Sequence, residues 1–159
     1  MKKAFTLIEV IVAIGVFAVL SVILSLLLAG TLRGSKKAAA TILVRGEGAY
    51  AIESMAAQLR FAKSITSCTG GLSVTVKTQV GADLTFSCLS SGDDVYLASN
   101  SARLTTANVK ITNCAGVFTC PADLRAVRIT FGLQKTGSNL PLEGTASIDF
   151  DTEVGLRNK

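Results

Sequence analysis

The run from Phe5 to Leu32 constrains this chain more than any other feature. It holds 28 residues, no proline and one ionisable side chain, Glu9. About 20 consecutive apolar residues cross a bilayer as a helix, so residues 5–32 are expected to form a transmembrane or filament-core helix. Lys2 and Lys3 precede the run. The positive-inside rule then places the N-terminus in the cytoplasm and the rest of the chain outside. Arg33, Lys36 and Lys37 follow the run and oppose that bias.

Glu9 is the anomaly of this segment. A carboxylate inside a membrane helix costs about 2.5–3.5 kcal/mol on insertion scales. By depth alone it has two readings: it sits near the cytoplasmic interface and stays wet, or it has a partner within the apolar layer.

The flanking residues bear on that choice. Lys2-Lys3-Ala4-Phe5-Thr6-Leu7-Ile8-Glu9-Val10 resembles the N-terminal signal of type IV pilins and type II secretion pseudopilins. In that family a short basic leader ends in a small residue, Phe follows, and Glu stands four residues later at the head of a membrane-length helix. The resemblance is tight over residues 1–32 and architectural beyond them. It implies a leader at 1–4, cut by a prepilin peptidase between Ala4 and Phe5, with N-methylation of the new Phe5 amine and retention of the helix. It also implies that Glu9 docks the subunit during assembly. Pairing with a neighbour's N-terminal ammonium would offset part of the cost of a carboxylate in an apolar bundle and set axial register. Ala4 stands where Gly is usual, and the segment lacks the Pro of many major pilins. Residues 9–18 look more like a minor pilin or minor pseudopilin. The partners implied are other subunits, the prepilin peptidase, an inner-membrane assembly platform and, before assembly, membrane lipid. The implied localisation is the inner membrane, single-pass, and then an extracytoplasmic filament.

Composition narrows the alternatives. The 159 residues include no His and no Trp. The commonest general base near neutral pH and the commonest metal ligand are therefore missing, and no paired carboxylates suggest catalysis. No catalytic residue, metal site or cofactor is expected. The net charge of +5 is spread along the chain without a basic, aromatic-interleaved patch, so nucleic acid is not indicated as a partner. Asp93-Asp94 and Asp149/Asp151/Glu153 could attract a cation but read as surface carboxylates. A tethered enzyme lacks a catalytic constellation. A secreted binding module with an ordinary signal peptide or uncleaved anchor is the remaining alternative. Leu27-Leu28-Ala29-Gly30-Thr31 resembles a signal peptidase site, but such a signal does not account for Glu9.

Beyond Leu32 the periodicity carries the fold. Ile52, Met55, Leu59 and Ala62 recur at helical spacing, so residues 33–67 are expected to continue the helix as an amphipathic segment. Gly30, Gly34, Gly46 and Gly48 suggest a bend or melted turn there. Residues 68–159 are expected to form an antiparallel head. Leu72/Val74/Val76 and Leu84/Phe86 alternate around a turn at Val80–Asp83 and read as a hairpin. Short strands are expected at 94–98 and 109–112, a long one through Val127–Leu133, and a last one through Ala146–Phe150. Gly137–Pro141 reads as a hairpin loop, and Pro121 with Asp123 as a turn. The fold class is α+β, pilin-like: a long N-terminal hydrophobic helix continuing into an amphipathic helix packed on an antiparallel β-sheet. Cys68, Cys88, Cys114 and Cys120 are expected to form disulfides. Strand phase favours Cys68–Cys88, and proximity in sequence favours Cys114–Cys120.

Overall fold

The computed structural model describes residues 6–137 and 145–157. One helix, α1 (Leu7–Arg60), runs 54 residues without a break, or roughly 80 Å at 1.5 Å per residue. The expected bend is not there. Alanines and leucines around the glycines favour helix, and Gly30, Gly34 and Gly46 stand in open space. The helix also ends sooner than expected, at Arg60 rather than 67. No glycine terminates it; Phe61 caps the last turn. The Ala62 amide bonds to the Leu59 carbonyl at 3.1 Å, and the Lys63 amide donates to the Lys77 carbonyl at 2.7 Å, which begins the sheet.

Among the described residues nine strands follow: β1 (Ser64–Thr69), β2 (Ser73–Lys77), β3 (Asp83–Ser91), β4 (Asp94–Ser99), β5 (Ala102–Arg103), β6 (Val109–Ile111), β7 (Phe118–Thr119), β8 (Ala126–Lys135) and β9 (Ser147–Gly155). They form two antiparallel sheets rather than the single one expected. The first has order β1-β2-β3-β4-β5, a meander. In the second, β8 pairs with β6 and β7 along one side and with β9 along the other. The hairpin of β2 and β3 is as the alternation implies: Val74 lies opposite Phe86 and Val76 opposite Leu84. The turn at Pro121–Leu124 is closed by the Leu124 amide on the Pro121 carbonyl at 3.0 Å. The expected loop at Gly137–Pro141 lies, after Gly137, outside the described residues.

Both sheets and the second half of α1 share one core. The helix contributes Val44, Ala51, Met55, Ala56 and Leu59, the first sheet Val74, Val76, Phe86 and Leu97, and the second Val127, Ile129, Phe131 and Leu133. The buried positions Ala40, Val44, Gly48, Ala51, Met55 and Leu59 recur every three or four residues, so one stripe of the helix faces the sheets. At Gly48 the second sheet packs directly against the helix backbone. A Cβ there would lie 2.1 Å from Cζ of Phe150, whose ring stacks on Phe131 at 5.3 Å. Gly48→Val is therefore expected to destabilise the head by about 1–3 kcal/mol through overpacking, read as a lower urea midpoint with an unchanged slope.

The disulfides correct the expected pairing. Cys68 bonds Cys120 and Cys88 bonds Cys114. Cys68 on β1 and Cys88 on β3 do share phase, but β2 lies between their strands. Two strand spacings are about 9–10 Å, beyond the roughly 7 Å limit for a disulfide between Cα atoms. Each cysteine bonds instead to the segment 114–120, which crosses the end of the first sheet. The Phe118 amide donates to the Gly71 carbonyl at 3.0 Å, and a Cβ on Gly71 would meet Gly116 Cα at 2.7 Å. The bridges therefore bind the two halves of the head to each other.

Candidate functional site: an unpartnered apolar helix with one carboxylate

From Leu7 to Ala39 every helix residue is exposed; Leu7 is 80% and Phe17 72% accessible. As far as Leu32 the apolar residues lie all around the helix, so this part has no polar face to turn to water. It is the one helix among the described residues long and apolar enough to cross a membrane. That is compatible with single-pass anchoring. Its hydroxyls suit an apolar surrounding. Ser21 donates to the Phe17 carbonyl and Ser25 to the Ser21 carbonyl, both at 2.8 Å, and Thr31 donates to the Leu28 carbonyl at 2.9 Å. Each of these hydroxyls is thus satisfied within the helix, as a medium without water requires.

Glu9 stands in the first turn, exposed, with its amide bonded to the Thr6 carbonyl at 3.1 Å. A carboxylate there faces the positive end of the helix dipole. Among the described residues it forms no ion pair. Ala4 and Phe5, the expected cleavage site, lie outside the described residues.

In the head, Asp83, Asp94, Asp123 and Asp151 pair with cations of the same chain. Asp94 takes a two-point contact from Arg103, which also donates to the Thr105, Thr106 and Val109 carbonyls and stacks over Tyr96. Sequence alone grouped Arg103 with scattered surface charges. The structure makes it the hub that ties β5 to β4 and to the following loop. Nothing local in the sequence signals this. Glu47 on the helix accepts the Thr106 amide at 2.9 Å and its hydroxyl at 3.1 Å, a second tie that the sequence does not reveal. On β9, Asp151 is held by Arg128 and by Thr130 at 3.1 Å. Among the described residues no group of three metal-ligating side chains is arranged to hold an ion.

These hydrogen bonds shift titration. The Arg103 guanidinium holds the Asp94 carboxyl below the usual carboxylate value, and Arg128 with Thr130 does the same for Asp151. A depressed folded-state pKa stabilises above the unfolded value and is lost as pH falls through the folded one. Asp151→Asn is therefore expected to lower the melting temperature at neutral pH. The gap from the unsubstituted protein should close once the pH falls well below the ordinary value of 3.8. A gap that widened on acidification would contradict this sign.

The chain matches no protein-family model, no curated protein and no solved structure.

Proposed function

We propose that this chain is a structural subunit, a minor pilin or minor pseudopilin. On this reading a prepilin peptidase removes residues 1–4, the helix anchors the subunit in the inner membrane with its N-terminus in the cytoplasm, and the subunit then passes into an extracytoplasmic filament. One observation supports it most: an apolar helix segment exposed on all sides from Leu7 to Leu32, bearing one carboxylate, is continuous with a closed, disulfide-bonded head. Such a surface needs lipid or other apolar helices around it. The same helix in a filament bundle would bring Glu9 of one subunit to the N-terminal ammonium of another. The resemblance of residues 2–10 to the prepilin signal points the same way.

The deciding experiment is the intact mass and N-terminal residue of the protein purified from membranes of a host with prepilin peptidase. Loss of Met1–Ala4 and a methylated Phe5 are expected. Cleavage near Ala29 or Gly30 would make the head a secreted domain and end the filament reading.

A further inference from the structure

We propose that the outer face of β9, carrying Asp149 and Glu153, docks on the basic end of the head of a second copy, formed by Arg60, Lys63 and Arg157. The inference rests on the filament reading above and adds to it that copies of this chain adjoin one another, in runs, through their heads.

Backbone hydrogen bonds bring three arginines together at the basic end. The Arg157 amide donates to the Arg60 carbonyl at 3.1 Å, and the neighbouring Leu156 amide donates to the Arg125 carbonyl at 2.9 Å. Lys63 follows one turn of chain after Arg60. Arg125 pairs with Asp123 at 3.7 Å. Arg60, Lys63 and Arg157 are exposed and form no ion pair among the described residues. The negative end of the helix dipole offsets part of one such charge. The rest of the cluster repels itself until an anionic surface covers it.

The anionic surface lies on β9. Asp149, Asp151 and Glu153 alternate with Ile148, Phe150 and Val154, and the apolar set packs on the core, so the carboxylates share the face turned away from it. Arg128 and Thr130 hold Asp151. Asp149 and Glu153, roughly 13 Å apart along the strand, are exposed and form no ion pair among the described residues. Among those residues β9 pairs with β8 alone, and a row of like charges keeps its open edge from adding another strand. Ion pairing of the face, rather than backbone pairing of the edge, is the contact left to it.

The two surfaces are complementary in position as well as in sign. Phe150 sits at the level of Gly48 on α1, and Arg157 at the level of Arg60. The acidic row therefore lies roughly 8–20 Å below the basic end along the helix. Two copies with parallel helices, as a shared bundle of stems requires, bring the surfaces together when staggered by that distance. The contact is not reciprocal: the end of one head meets the face of the next, whose own end stays free. Such a heterologous contact continues from copy to copy and gives an open helical row rather than a closed dimer. Lys110 and Lys135 are weaker partners for the acidic face, because they share a cavity at the foot of the head with Asp93 and Asp94 of their own chain.

In the test, heavy- and light-isotope copies of the full chain are combined in a host with prepilin peptidase, and sheared filaments are treated with a carbodiimide, which joins a carboxylate to an amine without a spacer. Mixed-isotope peptides linking Lys63 to Asp149 or Glu153 are expected. Asp149→Lys/Glu153→Lys and Arg60→Glu/Arg157→Glu should each lower incorporation about tenfold, the effect of a few exposed ion pairs turned repulsive. A chain carrying all four changes should regain most of it, which a misfolded head would not. Arg60→Gln/Arg157→Gln removes the charge without opposing the helix dipole, and a severalfold loss of incorporation at an unchanged urea midpoint is expected. Incorporation unchanged in both reversed-charge variants would overturn the proposal. So would the absence of recovery in a fourfold variant with a normal urea midpoint, or mixed-isotope links from Lys63 to other carboxylates alone. Absence of the wild-type chain from sheared filaments would instead sink the filament reading on which the inference rests.

Discussion

Glu9→Ala is expected to impair incorporation into filaments, by tenfold or more, while leaving the head folded and membrane insertion intact or improved. The two effects separate because Glu9 touches nothing in the head: the first helix residue buried against the sheets is Ala40. Removing the carboxylate relieves the insertion cost of about 2.5–3.5 kcal/mol, less whatever part the wet interface already spares. On the proposed filament reading the variant lacks the pairing expected to set axial register, and a loss of incorporation of tenfold or more follows from a difference of about 1.4 kcal/mol or more per docking event. The measurement is the ratio of variant to wild-type subunit in sheared filaments at equal membrane abundance. Glu9→Leu is expected to match Glu9→Ala, because only the charge is at issue. Normal incorporation of either variant beside wild-type partners would show that charge pairing does not drive docking.

The second large effect is in the head. Cys68→Ser/Cys120→Ser opens a loop with a sequence separation of 52, and Cys88→Ser/Cys114→Ser one of 26. In the chain-entropy model these closures are worth about 4 and about 3.5 kcal/mol respectively, within a measured range of about 0–5. Urea unfolding of the detergent-solubilised chain should show both variants strongly destabilised, with the first the more so if closure entropy dominates. The bridges are nested, so their removal need not be additive. Peptide mapping without reduction supplies a sharper check. A fragment joining Cys68 to Cys120 is expected, and one joining Cys68 to Cys88 would contradict the fold.

What was legible in the sequence followed from local periodicity. The switch from a helical stripe to alternation located β2, β3, β4, β6, β8 and β9, because each has an apolar face directed at one core. Strand β1 was not legible. In Ser-Ile-Thr-Ser-Cys-Thr only Ile65 is buried, at 6%, and a bulge between Ile65 and Ser67 breaks the alternation. With no glycine to stop it, the helix pattern in the sequence runs on to 67. The two-residue strands β5 and β7 are too short to show a period. The division into two sheets and the disulfide pairing depend on which strand lies between which, a long-range property that phase along one strand does not encode. The helix stripe extends back from Met55 through Ala51, Gly48, Val44 and Ala40, but most of these are small residues that hydropathy does not single out. Of the candidate site, Glu9 and the apolar run could be read directly. Arg103 and Glu47 could not, because their partners lie on other elements.

The seam between helix and head has a mechanical consequence. Both disulfides lie beyond Arg60, so no covalent cross-link ties the helix to the sheets, and an axial pull on the membrane end loads the seam in shear. Ala40, Ala51 and Ala56 leave parts of that surface smooth, while Val44, Met55 and Leu59 project from it. Phe150 seated on Gly48 adds a notch of the opposite sense, a ring from the sheet entering the helix surface. A slip of one turn, about 5.4 Å, would carry that ring from Gly48 onto Val44 or Ile52, where a branched side chain fills the notch. Gly48 thus acts as a detent: a single hydrogen atom in place of a side chain fixes how far along its own stem the head can sit.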